Sequence, residues 1–482
     1  MTRLCVLSCL LVTSVVGNAQ IFHPSIPKAW DDSETTSFEL PLARADRSPR
    51  YPAAAEYYAM PIREVYRTYP FYVAGKEPPG YFESLLQKEP ELLFDPSKLK
   101  TEEDWIRAGE LVFDSPIVRP AADETRHQRY LRHSIEAPPT EPTKDGIIPG
   151  WYYVVPKKGV VQLGFGACSE CHTRRMPDGS FAKGAQSNFA MSRGVVWRQT
   201  HPGPPNPSGW KLREFAPWAS DQEDWERATG DDLLRWFLQI PPGVQNREGA
   251  SLRHPVKIPA LYGLDKLRYL DATGLGRNRD IGDMMRYVIV NQDLISFAQY
   301  GDYEPRPTPQ DGKTRYSNEQ LYALSLYLYT LKPPMNPNGM TAEGRRGEAI
   351  FAHQGCGGCH PAPLYTNNKL SPTAGFEVPG ALRKTEAILE VSVGTDPGLA
   401  LQTRRGTGFY KVPSLRGVWM RSAFGHEGSA ASLDEWFDPA RLREDYEPKG
   451  FHRGTGPIQG HEFGIGLPAA DRRALIAFLK TL

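Results

Sequence analysis

The chain has 482 residues and a nearly balanced charge, with 57 Lys and Arg against 56 Asp and Glu for a net +1. At about 150 residues per domain that is enough for two or three units with a sizeable core. The neutrality removes any electrostatic case for nucleic acid or an anionic membrane surface as partner. Gly and Pro number 44 each, which favours short helices joined by long loops over a solenoid or a large regular sheet.

The beginning of the chain reads as a secretory leader over 1–19. Arg3 supplies a positive start, Leu4 to Val16 an apolar run, and Gly17-Asn18-Ala19 the small residues before a cut near Gln20. The run is too short to span a bilayer, and no later stretch is apolar enough to do so. The expected location is therefore periplasmic or secreted. Residues 20–100 are rich in Pro and Tyr with weak periodicity, and are read as an extended N-terminal segment. Thr101 followed by Glu102-Glu103-Asp104 then predicts a capped helix start. The segment 114–167, rich in Pro and charge, is an insert.

Next comes Cys168-Ser169-Glu170-Cys171-His172, and far downstream Cys356-Gly357-Gly358-Cys359-His360. Two cysteines three positions apart on one helical turn reach the two vinyl groups of a haem and form thioethers. The following His offers its imidazole to the iron. A four-thiolate zinc site or a redox dithiol needs no His at that position. His172 and His360 are the expected proximal ligands of two covalently bound haem c groups. Of the six cysteines, Cys5 and Cys9 fall in the leader and the rest in these motifs, so none remains for a disulfide.

The motifs organise an internal duplication. Arg107-Ala-Gly-Glu-Leu-Val-Phe113 matches Arg345-Arg-Gly-Glu-Ala-Ile-Phe351. Lys257-Ile-Pro-Ala-Leu-Tyr-Gly263 matches Lys411-Val-Pro-Ser-Leu-Arg-Gly417. Leu324 to Leu331 matches Leu475 to Leu482. Each unit runs helix, haem motif, Pro-Leu loop, closing helix. Leu321, Leu324, Leu328 and Leu331 have helical spacing, and Lys332-Pro333-Pro334 ends that helix. The fold class is mainly α: two cytochrome c-like domains at 101–333 and 341–482, with long loops.

Function turns on the second axial position of each iron. After His360 the candidates are Met420, His426, His452 and His461. Aligning the closing helices sets His461 opposite Gln310 and His426 opposite Ala272, neither a strong iron ligand. In the first unit Met176, Met191, His201, His254, Met284 and Met285 remain, each more often core filler or a satisfied histidine than a ligand. Phe189 and Phe297 are candidate pocket residues for an open face on the His172 haem. Trp197 and Trp210 are candidate electron relays.

The second unit resembles the C-terminal half of bacterial di-haem cytochrome c peroxidases and the related MauG-type enzymes. The resemblance is carried by Lys411 to Gly417, Ala423-Phe-Gly-His-Glu-Gly-Ser429, Leu433-Asp-Glu and the closing Leu475 to Leu482. It spans 340–482 well and 101–333 loosely. Arg174, Pro177-Asp-Gly179 and Lys183-Gly-Ala-Gln-Ser-Asn-Phe189 look more like its rubber-oxygenase branch. The resemblance implies an oxidoreductase using H2O2 or O2, with a small redox protein as partner. The family's Met on the second haem has no counterpart near Pro439-Ala440, and the oxygenase branch implies a second His there. That makes His461 the ligand and His426 a pocket residue or alternative ligand. A peroxidase-like activity is expected, with a rubber-oxygenase-type activity or a plain electron-transfer cytochrome as alternatives. The resemblance implies that a calcium ion between the domains is possible, although no acidic loop here has calcium spacing to support it.

Overall fold

The computed structural model describes residues 22–44, 49–73, 75–119, 141–193, 229–245, 253–292, 314–403 and 405–482. The leader and Phe297, His201, Trp197, Trp210 and Gln310 lie outside these residues. The described elements are mainly short helices, with one four-stranded sheet and several two-stranded ones.

The first long helix, α1 (Glu102–Asp114), starts where the sequence placed it. The Thr101 side chain accepts from the Asp104 N–H and Asp104 reaches back to the Thr101 N–H, a reciprocal cap beside three acids in the first turn. Its buried stripe is Trp105, Ala108, Gly109, Val112 and Phe113, the i, i+3, i+4 spacing of one helical face. A short turn, α2 (Cys168–Cys171), carries the first Cys-x-x-Cys-His motif, and α3 (Ile281–Gln292) follows. The closing helix α4 (Asn318–Thr330), capped by Ser317 and Gln320, packs along α1. It ends at Leu331, ahead of the Pro pair.

The same arrangement recurs with α5 (Ala342–His353), the motif turn α6 (Cys356–Cys359) and α7 (Ala469–Leu479). The two crossings agree in detail. A Cβ on Gly109 would lie 2.0 Å from the Ala323 carbonyl oxygen, and one on Gly347 would lie 1.9 Å from that of Ala474. Only glycine allows such backbone contact. Beside each crossing an aromatic pair closes the gap: Phe113 with Tyr327 at 5.3 Å, and Phe351 with Phe478 at 5.2 Å.

The sheet was not legible as such in the sequence. Strand β1 (Thr68–Tyr72) comes from the N-terminal extension; β2 (Ile117–Arg119), β3 (Ile147–Lys157) and β4 (Val160–Phe165) come from the insert. They pair antiparallel in the order β1-β3-β4-β2. Phe71, Ile148, Trp151, Tyr153, Val161 and Leu163 form its own apolar core, joined by Leu85 from the helix Tyr81–Leu86. Trp30, Phe38 and Tyr57 of the extension instead enter the core around α1, α3 and α4. The extension thus serves both as a cover for the helices and as a sheet strand.

Candidate functional site

One cavity of about 630 Å³ reaches both Cys-x-x-Cys-His turns. Equivalent side chains wall it at each end: Phe113, Leu324 and Leu328 from α1 and α4, and Phe351, Leu475 and Leu479 from α5 and α7. The apolar stripes that hold each helix pair together therefore also form the lining.

At both turns the His N–H bonds back to the first Cys carbonyl, 3.0 Å for His172 and 2.8 Å for His360. The imidazoles are oriented by carbonyls, which can only accept. His172 Nδ1 donates to Pro259 O at 3.1 Å, and His360 Nδ1 to Tyr365 O at 2.9 Å, with the Pro413 backbone also in reach. Pro259 and Pro413 are the matched prolines of the two Pro-Leu loops. A proton held on Nδ1 leaves the lone pair on Nε2, the tautomer a metal ligand needs. Burial pushes His360 down and keeps it neutral; it pushes the Cys356 and Cys359 thiols up. Among the described residues, the four motif cysteines form no disulfide with one another.

The first turn is held from behind by the 173–189 block. Thr173–Arg175 pairs with Phe181–Lys183 across a turn in which Asp178 accepts from the Ser180 N–H. Gly184 N–H then bonds to His172 O at 2.7 Å, and Ser187 N–H to Cys171 O at 3.2 Å. Buried Gln186 bridges to the second half, donating to Ile258 O and accepting from the Ser422 N–H. Phe189 packs with Met191 and Ile258 against Cys171; of these, Met191 and Ile258 reach the cavity. Met284 also lines it, whereas Met176 packs on the helical core and Met285 and Met420 are buried in it.

At the second turn, the ring of His461 faces that of His360 with centroids 6.4 Å apart. Two metal–nitrogen bonds of about 2 Å each, plus the two ring radii, fill such a gap. His461 sits at φ +47°, in the left-handed region, and its N–H bonds to Val393 O at 2.7 Å. Trp436 and Phe463 flank the ring. Fully buried Arg441 clamps the loop, donating to the carbonyls of Trp436, Ile458, Gly460 and His461. Burial, then repulsion from His360, holds the His461 pKa down to about 4, so the ring is neutral. Its Nδ1 is buried with no hydrogen-bond partner among the described residues. His426 lines the same cavity but stacks on Tyr410 at 4.1 Å. His452 bonds to Gly450 O at 2.9 Å.

Sequence reasoning missed two cations on the cavity wall, Lys257 and Arg421. Burial pushes Lys257 down to about 7 and Arg421 to about 10. Cations in such a place call for anionic partners. A haem brings two carboxylates, and with the thiols, the oriented imidazoles and the apolar walls these residues fit that group. The Lys of the Lys-x-Pro-x-Leu match was the available signal for Lys257; nothing in the pattern singled out Arg421 or Arg441.

No family model matches the chain. It is 28% identical over 162 residues to the cytochrome-c peroxidase IdrP1 of Denitromonas iodatirespirans, a stretch covering 30% of this chain and 41% of that protein. That match is to a cytochrome-c peroxidase, and the chain spans less than half of that protein's length. Among solved structures, a hydrazine synthase of Kuenenia stuttgartiensis aligns at TM-score 0.31 and 16% identity, covering 60% of this chain and 92% of the other. A MauG-like protein associated with microbial copper homeostasis aligns at 0.31 and 17%, covering 47% and 73%. The di-haem peroxidase BthA of Burkholderia thailandensis aligns at 0.25 and 13%, covering 82% and 91%. Scores this low carry no argument about this chain. No helix among the described residues is long and apolar enough to cross a membrane.

Proposed function

We propose that the chain is an exported di-haem c-type oxidoreductase built by internal duplication, with domains at 101–333 and 341–482. Cys168, Cys171 and His172 hold one haem; Cys356, Cys359, His360 and His461 hold the other. The observation that carries this reading is the facing pair His360 and His461 at 6.4 Å, on the wall of a cavity that also reaches the His172 turn.

A bound haem would supply one-electron redox chemistry and activation of peroxide or O2. The chain's own residues do the rest. Pro259 O and Tyr365 O keep the proximal Nδ1 protons in place. Lys257 and Arg421 offset the carboxylates of the group. The leucines and phenylalanines of the helix pairs exclude water. His461 would close the His360 side and so suit a haem held there to electron transfer. The sequence alignment places no histidine at the corresponding position of the first unit, so peroxide or O2 is assigned to the His172 side. A small redox protein is the partner that would supply or take electrons.

The test is an electronic spectrum of the purified protein and of His461→Ala, with a cyanide titration of each. Wild type should show one low-spin haem and one that takes cyanide; the variant should take cyanide at both. An unchanged variant spectrum removes His461 as ligand. Two haems that both refuse cyanide would favour a plain electron-transfer cytochrome. Turnover of H2O2 with a reduced small cytochrome, set against O2 consumption with a polyunsaturated hydrocarbon, separates the peroxidase from the oxygenase reading.

A further inference from the structure

Away from the haem motifs, three segments converge on one side chain, His254. Its Nδ1 lies 2.8 Å from Glu427 Oε1 and 3.9 Å from Asp396 Oδ1. The three potential ligand atoms all lie within 4.8 Å of one another. We propose that His254, Asp396 and Glu427 bind a divalent transition-metal ion of the zinc or manganese class, joining the 253–257 segment to the loops 395–402 and 425–428.

The arrangement is built rather than incidental. On its far side His254 Nε2 meets Gln402 Oε1 at 3.2 Å. An amide oxygen only accepts, so Nε2 keeps the proton and the Nδ1 lone pair faces the carboxylates. A Cβ on Gly398 would lie 1.9 Å from His254 Cε1, so the turn Gly398–Leu401 presses its backbone on the ring as only glycine allows. Gly398 N–H also donates to Asp396 Oδ1 at 2.8 Å, aiming that carboxylate. His426 Nε2 is buried with no hydrogen-bond partner among the described residues, and stands 3.8 Å from the same Glu427 Oε1.

Two carboxylates and an imidazole lone pair repel one another unless a cation lies among them. Nδ1 stands 2.8 Å from Glu427 Oε1 and 3.9 Å from Asp396 Oδ1, where a divalent ion would balance both carboxylates. One nitrogen and carboxylate oxygens suit zinc, manganese or iron(II); calcium prefers six to eight oxygens. The His254 and Glu427 side chains are only 8% and 12% exposed, whereas that of Asp396 is 52% exposed, so the ion enters past Asp396 and keeps water on that side. The site adjoins the cavity wall: Tyr410, stacked on His426, donates its hydroxyl to Asp396 O at 2.8 Å.

The experiment uses the full haem-loaded protein, stripped of loose metal with EDTA, equilibrated with zinc chloride and dialysed. Zinc is counted against iron by mass spectrometry. Wild type should retain one equivalent beyond its iron. Asp396→Asn and Glu427→Gln should lose it with haem spectra unchanged, and Gln402→Ala should bind roughly 10–100-fold more weakly. Absence of zinc beyond the iron overturns the proposal, as does equal retention by Asp396→Asn. Half-exposed Asp396 gives a variant expected to fold even where Glu427→Gln does not. Retention of calcium but not zinc in a parallel dialysis overturns the transition-metal class.

Discussion

The two Cys-x-x-Cys-His turns share a helix crossing, a wall of matched side chains and an imidazole oriented by a carbonyl, yet their surroundings differ. Around His172 the support is a folded block: the 173–189 hairpin bonds the motif carbonyls, and Gln186 ties it to the second half. Around His360 the support is a loop: Arg441 gathers four carbonyls and holds His461 across the cavity in a left-handed conformation. Matched helix crossings carry the two turns; the loops hung on them decide what meets the far side of each.

The largest expected effect tests the shared part. Gly347→Val and Gly109→Val each force a side chain into a facing carbonyl and should cost about 3 kcal/mol or more in chemical unfolding. A small cost at one site and a large one at the other would break the equivalence of the two crossings. Arg441→Met tests the loop that distinguishes the second site. It strands buried carbonyls and should cost about 3 kcal/mol, with loss of the low-spin signature assigned to His360 and His461. Retention of that signature would show that the strained backbone holds His461 without the clamp.

Acid should distinguish the halves. Asp283, on α3 beside the first site, is buried, which raises its pKa, but hydrogen bonds from Arg279 and the charges of Arg279 and Arg286 outweigh burial and hold it below 3.8. A depressed carboxylate stabilises above its unfolded pKa and loses that contribution as pH falls through the folded value. Below pH 3.8 the α3 side should therefore loosen, seen as faster amide exchange there, and Asp283→Asn should flatten that part of the profile at a cost of about 2 kcal/mol at neutral pH. Uniform exchange in acid would sink the distinction. The smallest effect concerns the cavity cations. Lys257→Met should lower the midpoint potential of one haem by an amount on the order of tens of millivolts, leaving the other unmoved. Equal shifts in both would place Lys257 between them.

Much of this was readable along the chain because it is local. The Cys-x-x-Cys-His turns need residues three and four positions apart. The α1 cap needs Thr101 and Asp104. The closing helices need a 3.6-residue period, and Pro333 stops the first of them. His461 stood out because its counterpart in the repeat is not a histidine. Tertiary structure decided the rest, because its partners are distant in sequence. Strand β1 finds its register only against Tyr152, Tyr153 and Val154 of β3, and weak local periodicity could not announce it. Lys257 and Arg421 come together on the cavity wall only when distant segments fold beside one another. His254 becomes a candidate ligand only when folding brings Asp396 and Glu427 beside it, since charge and burial belong to the packed molecule and not to the residue.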